Sequence, residues 1–192
     1  RYTVFNLLPD DSTKYLSFGL KTAMCFLNIN PDFELIQDVK SNKIIIDELI
    51  IRPYRSEASF LLNYYGPTSN IYNTFPVYPL SNIIDDNNYQ LKNINEDQDW
   101  IGMFINDKHP LYKKFGFNSS PFKNKVVVIG SSLKEDHDFV QTPFFNYNNN
   151  ENPIPGLEFH ANAIQQIIDN NYIITPTKTL DLNSQSFIYH II

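Results

Sequence analysis

A single cysteine, Cys25, occurs among the 192 residues, so no disulfide can close within the chain and its redox compartment cannot be read from cysteine usage. Glycine is scarce too, at six residues. The phosphate-cradling patterns G-x-G-x-x-G and G-x-x-x-x-G-K-[ST] are both absent, which leaves nucleotide binding without support. The G-x-S-x-G nucleophile elbow is also missing, because Ser132 and Lys134 stand where its second glycine would fall after Gly130. Positive charge is in deficit, with 15 Lys+Arg against 21 Asp+Glu and a net charge of −6. The tightest basic pair is Lys113-Lys114, so the clustered cations that grip a phosphate backbone are lacking and a nucleic-acid partner is excluded. No run reaches the roughly 18–20 consecutive apolar residues of a membrane-spanning helix. No charged, apolar and small-residue signal follows Arg1, so the segment reads as a piece of a longer chain.

What is present suits a packed domain. Hydrophobic residues make up 42% of the chain and aromatic residues 15%, enough for one core of ordinary size and too many for a disordered chain. The asparagine richness reads as composition rather than function. Tyr2 to Leu8 reads as a strand stopped by Pro9-Asp10-Asp11. Leu16, Leu20, Ala23, Met24 and Leu27 recur at helical steps before Pro31, which places Met24 and Cys25 in a core. Lys43 to Arg52 reads as a hairpin or one bent strand around Asp47-Glu48, Ser59 to Tyr64 as a strand, and Pro76 to Tyr78 as a short strand with a short helix at Leu80, Ile83 and Ile84. An asparagine-rich loop is expected at 86–95, then a capping box at Asn95 and Gln98 opening a helix with Trp100, Ile101, Phe104 and Ile105 on one face. The β-branched run Val126-Val127-Val128-Ile129 reads as a strand buried on both faces of a sheet. After a polar loop that includes the solvated patch 146–152, Pro155 opens the best helix. Its apolar face is Leu157, His160, Ala161, Ile164, Ile167 and Ile168, and Glu158, Asn162, Gln165, Gln166 and Asp169 are expected on the solvent side. Tyr172 to Thr175 reads as a returning strand. Alternating strands and helices predict an α/β layered sandwich, with a central mixed, partly parallel sheet flanked by helices.

Carboxylates and imidazoles gather where such sheets bind ligands, at the carboxyl end of a central strand: Glu135, Asp136, His137 and Asp138, with Glu158 and His160 on the next helix. One reading is a metal- or histidine-assisted hydrolase using Asp136, His137, Asp138 and His160, although their spacing is no recognised ligand pattern. The competing reading is a solvated acidic loop beside a hydrogen-bonded core histidine, and a third is a purely structural dimerisation module.

Four blocks in order carry a resemblance. They are Phe60 to Pro67 (FLLNYYGP), Phe122 to Ser131 (FKNKVVVIGS), Asp138 to Phe144 (DFVQTPF) and Ile154 to Ile164 (IPGLEFHANAI). Together they are similar to the second type of CHASE domain, the extracytoplasmic sensor of bacterial cyclases, histidine kinases and related receptors. Its pattern runs as an N-Y-x-G-P strand end, a lysine-led hydrophobic strand ending in I-G, an aspartate four residues before T-P, and a P-G-x-E-x-H-A-N-A-I helix start. The family's opening half, a strand ending in an aspartate pair and a W-P-R helix start, has no counterpart here. The stretch from Asp86 to Ser120 is longer than in typical members.

The resemblance implies one sensor domain over 1–180, lacking that opening half, with 181–192 as the start of a truncated transmembrane segment; an ordinary terminal strand is the alternative for the apolar ending Phe187 to Ile192. It implies no catalytic residues and no cofactor or metal, and a place outside the cytoplasm in a membrane-anchored protein with a cytoplasmic cyclase or kinase. The signal would be an unknown small molecule or surface, and a homodimer is compatible with a receptor. Asn63, Tyr64, Gly66, Asp138, Thr142 and His160 are the candidates for a ligand pocket or hinge, against the alternative that they only fix the loops around them.

Overall fold

The computed structural model describes residues 1–8, 11–30, 32, 34–38, 40–55, 58–85, 92, 99–112 and 120–173. The first strand signal is split. β1 (Tyr2–Thr3) and β2 (Phe5–Leu8) are separated by a bend at Val4, and β2 folds back on β3 (Asp11–Leu16) with a register shift at Leu7/Leu8. α1 (Phe18–Phe26) follows, its Leu20 amide capped by the Ser17 hydroxyl at 3.4 Å. Leu20, Ala23 and Met24 are buried, whereas Cys25 is exposed. The expectation that Cys25 lies in the core is therefore corrected: one residue past Met24 the helix has turned about 100° away from the buried stripe. A three-stranded antiparallel meander comes next, β4 (Leu35–Asp38), β5 (Lys43–Ile46) and β6 (Leu49–Ile51), so Lys43 to Ile51 is a hairpin. Ile44, Ile46, Leu49 and Ile51 face the core in the alternation that a half-buried sheet requires.

β7 (Ser59–Phe60) pairs with β1, Tyr2 opposite Phe60. The expected strand ends there, and residues 61–65 run on without a strand partner. Three short helices follow, α2 (Ser69–Tyr72), α3 (Leu80–Ile84) and α4 (Gly102–Ile105); Pro76 to Tyr78 is not a strand. Tyr78, Trp100, Phe104 and Phe122 stack into a satellite cluster, with centroids 4.9–5.5 Å apart for Trp100–Phe104, Tyr78–Trp100 and Tyr78–Phe122. β8 (Phe139–Val140) pairs with β11 (Ile154–Pro155), enclosing the hairpin β9 (Asn146–Tyr147) and β10 (Asn150–Glu151). The asparagine patch, expected as a solvated loop, is exposed over 146–151 and forms a hairpin, since Asn148 and Asn149 take the two left-handed positions that a tight primed turn demands. α5 (Gly156–Ile168) completes the order and packs against α1.

Both long helices end alike. Asn28 and Asn170 adopt left-handed φ of 56° and 52°, and the amides of Ile29 and Asn171 reach back to the carbonyls of Met24 and Gln166. Among the described residues seven of the eleven left-handed non-glycine positions are asparagine, and no glycine has positive φ. Asparagine therefore does the turn work that a glycine-poor chain would otherwise lack.

The core joins Tyr2, Val4, Phe5, Leu20, Met24, Ile44, Ile51, Phe60, Ile164 and Ile167. Helices and strands are both present, in runs rather than in strict alternation, and every pairing among the described residues is antiparallel, so the expected partly parallel central sheet is not seen there. Its intended centre, Val126 to Ile129, is extended but outside any sheet. Val126 and Val128 pack against the core, whereas Val127 and Ile129 are 47% and 78% exposed. A β-branched run supplies the backbone preference and the packing face, but a strand also needs a neighbour to accept its hydrogen bonds. The loop and capping box at 86–98 (Lys92 apart), Pro9, Asp10, Pro31, and 174–192 lie outside the described residues.

Candidate functional site

Of the six candidate residues α5 carries His160 and is hydrogen-bonded to Asn63 and Asp138. Its sequence places Glu158, Asn162 and Gln166 at i, i+4 and i+8, one stripe along the helix. Sequence periodicity put that stripe in solvent; in the structure the three residues are 5%, 0% and 0% exposed. The reason is the segment 61–69, extended over 61–65 and then bending into α2, which lies along the stripe and takes its hydrogen bonds from it. Gln166 accepts from the Asn63 amide at 2.8 Å and donates to the Leu61 carbonyl at 3.0 Å, the two bonds a neighbouring strand would make. Asn162 accepts from the Tyr65 amide at 3.0 Å, and its own amide group donates to the Glu158 carbonyl at 2.8 Å. The Glu158 carboxylate receives the Ser69 amide at 3.0 and 3.1 Å, the Ser69 hydroxyl at 2.8 Å and the Thr68 hydroxyl at 3.5 Å. Between Gln166 and Asn162 the pitches agree, since four helical residues rise about 6 Å and the two residues from Asn63 to Tyr65 span about 6.5 Å; Glu158 instead takes donors at the start of α2. Gln166 and Asn162 thereby stand in for a β-ladder, and Glu158 holds the first residues of α2.

Asn63, Tyr64 and Gly66 belong to this segment. Asn63 contributes its main chain, and the half-buried Tyr64 packs on the core, where burial raises its phenol pKa. Gly66 is needed for close approach, because a Cβ there would fall 2.6 Å from the Thr74 hydroxyl, itself tied to the Pro67 carbonyl. Tyr65 closes the far end by donating to Asp169 at 2.7 Å. Desolvation, then the Asp169 carboxylate, push the Tyr65 pKa upward.

Asp138 and His160 lie at the entry to α5, and Thr142 sits in the turn that follows β8. Gly156 donates its amide to the Asp138 carbonyl at 2.9 Å, and the Asp138 carboxylate lies against Gly156 so closely that a Cβ would meet it at 2.3 Å. An anionic group at a helix N-terminus complements the dipole there. Gly156→Ala is expected to cost about 1 kcal/mol through this clash, and the loss should disappear in an Asp138→Ala background, giving a coupling that a double-mutant cycle in urea would measure. Thr142 is buried and caps its own turn, accepting from the Phe144 amide at 3.1 Å. The half-buried His160 meets the Tyr2 hydroxyl through Nδ1 at 2.9 Å, and Tyr2 already accepts from the Gly19 amide at 2.8 Å. Rings of Tyr2, Phe18 and Phe159 meet the His160 edge or face at 5.2–5.7 Å. Burial is the leading cause of the raised Tyr2 pKa.

The hydrolase constellation is not assembled. Glu135 and Asp136 sit in an exposed 3₁₀ turn, His137 follows in a left-handed conformation, and no group of three His, Cys, Asp or Glu among the described residues could hold a metal ion. A hollow of about 350 Å³ lies elsewhere, lined by Asn30, Asp32, Glu34, Ile36, Ile45 and Asp47, and includes none of the six candidates.

Tyr172 ends the site. It is 8% exposed, and its hydroxyl has no hydrogen-bond partner among the described residues. Desolvation, helped by Tyr65, raises its pKa. Such a phenol holds its proton harder in the folded state, so its contribution is whole below the ordinary pKa of 10.0 and is lost as pH rises beyond it. Tyr172→Phe is expected to gain about 1 kcal/mol at neutral pH by removing the orphan hydroxyl. It should also flatten the alkaline fall of stability above pH 10, read as urea midpoints across the range.

The family model for the CHASE2 domain matches residues 1–189, and the chain belongs to this family of extracellular sensor domains. No curated protein and no solved structure matches it.

Proposed function

We propose that this CHASE2 domain is the signal-input module of a bacterial transmembrane receptor, held outside the cytoplasm and passing a bound ligand or surface signal to a cytoplasmic cyclase or kinase. The observation that carries this reading is the family match over residues 1–189, and the architecture of α5 gives it a physical form. α5 is fixed to the opening strand by His160–Tyr2, to 61–69 by Glu158, Asn162 and Gln166, and to the loop before β8 by Asp138. A signal that favours one arrangement of these contacts over another would shift the helix as a unit. Asp138, Thr142 and His160 then act as a hinge at its entry, and Asn63, Tyr64 and Gly66 belong to the strap along its side.

The test is effector output from the full-length receptor in membranes. Asn162→Asp and His160→Phe should each change basal output several-fold while membrane abundance stays that of the wild type. Output unchanged in both, at equal abundance, would contradict a relay through α5.

A further inference from the structure

Residues 126–130 form an extended segment whose amides and carbonyls make no hydrogen bond, to each other or to any other described residue. One side of it is anchored. Val126 and Val128 rest on the core, and Gly130 lies so close to the first turn of α5 that a Cβ would meet Leu157 at 3.3 Å. The opposite side is apolar and open, with Val127, Ile129 and, beyond the glycine, Leu133 at 63% exposure. A seated extended segment with backbone groups unpaired among the described residues and an aliphatic outer face is a template for a strand, unless charge or covering blunts it. Charge here lies only at the two ends, with opposite sign. Lys123 and Lys125 precede the run, Glu135, Asp136 and Asp138 outnumber Lys134 after it, and all six are exposed.

We propose that this edge pairs with the same edge of a second copy of the chain, antiparallel about a two-fold axis near Ile129. A parallel pair would set lysines beside lysines and acids beside acids. The antiparallel pair lays the basic end of each copy along the acidic end of the other and brings the two Ile129 side chains together, which is the self-complementarity a two-fold interface requires. Five residues are enough for a strand of ordinary length. The interface is a property of this surface and stands or falls independently of the sensory reading.

Sedimentation equilibrium of the 192-residue chain is expected to show a reversible dimer. Ile129→Lys, at an outward position that is 78% exposed, should abolish the dimer and leave the monomer's melting temperature unchanged. Two charge-reversed variants sharpen the test: Lys123→Glu/Lys125→Glu makes both ends acidic, and Glu135→Lys/Asp136→Lys makes both ends basic. Each should be monomeric alone, and the two should associate when mixed. A chain that is monomeric at every concentration overturns the proposal and leaves the edge to a strand of a different polypeptide. An Ile129→Lys variant that still dimerises, or reversed variants that fail to associate on mixing, overturn it equally.

Discussion

Glu158→Ala is expected to lower the free energy of unfolding by roughly 3–5 kcal/mol, since bonds to an ionised acceptor are worth about 1.5–3 kcal/mol each. The carboxylate is 5% exposed and takes the Ser69 amide, the Ser69 hydroxyl and the Thr68 hydroxyl, all from buried residues. Alanine leaves these donors unpaired and out of reach of water. The damage should spread along the strap, because the Ser69 hydroxyl itself accepts from the Phe75 amide at 3.0 Å. Amide exchange should therefore quicken around residues 65–75 before the β5–β6 hairpin is affected. Glu158→Gln keeps one acceptor oxygen but turns a donor toward Ser69, so about half the loss is expected. A cost under 1 kcal/mol for Glu158→Ala, from urea curves of equal slope, would mean that the strap is held by something else.

Phe60→Ala is expected to cost about 3–5 kcal/mol by loss of transfer energy and a cavity that the site cannot close. Phe60 is 1% exposed, pairs with Tyr2 across β7 and β1, and meets the rings of Tyr2 and Tyr172 at 5.6 and 5.3 Å. Those two rings come from opposite ends of the described chain, so no single rotamer change fills the space. The loss is a large share of the roughly 5–15 kcal/mol that holds an ordinary domain together. Ile71→Ala is the control: Ile71 is 66% exposed, and its truncation should stay within about 0.5 kcal/mol of the wild type.

Periodicity placed α1 and α5 well because each buries an aliphatic stripe of its own, Leu20, Ala23 and Met24 in one and Ile164 and Ile167 in the other. The β5–β6 hairpin was legible for a similar reason, with two isoleucine-rich runs on either side of Asp47-Glu48. Periodicity failed on the second stripe of α5. Polar residues at helical spacing are ordinarily read as solvated, and nothing in hydropathy separates the exposed Asp169 from the buried Gln166. The available signal was the spacing itself, an acid and two amides at i, i+4 and i+8. It pairs with N-Y-Y-G-P, a segment with few side-chain acceptors for its own amides. Val126 to Ile129 failed for the opposite reason, since a strand is a property of two segments and the sequence displays only one. His160 was legible as a hydrogen-bonded core histidine, whereas its partner Tyr2 lies 158 residues away and no local pattern could name it.

The direct test of the signal-input reading is the side of the membrane on which the domain lies. Cys25 is exposed and is the single cysteine of the chain, so it can serve as a reporter. Intact cells making the full-length receptor are treated with a membrane-impermeant maleimide. Labelling that is lost in Cys25→Ser is the result expected of an extracytoplasmic domain. Labelling of Cys25 only after the cytoplasmic membrane is broken would place the domain inside and contradict the reading.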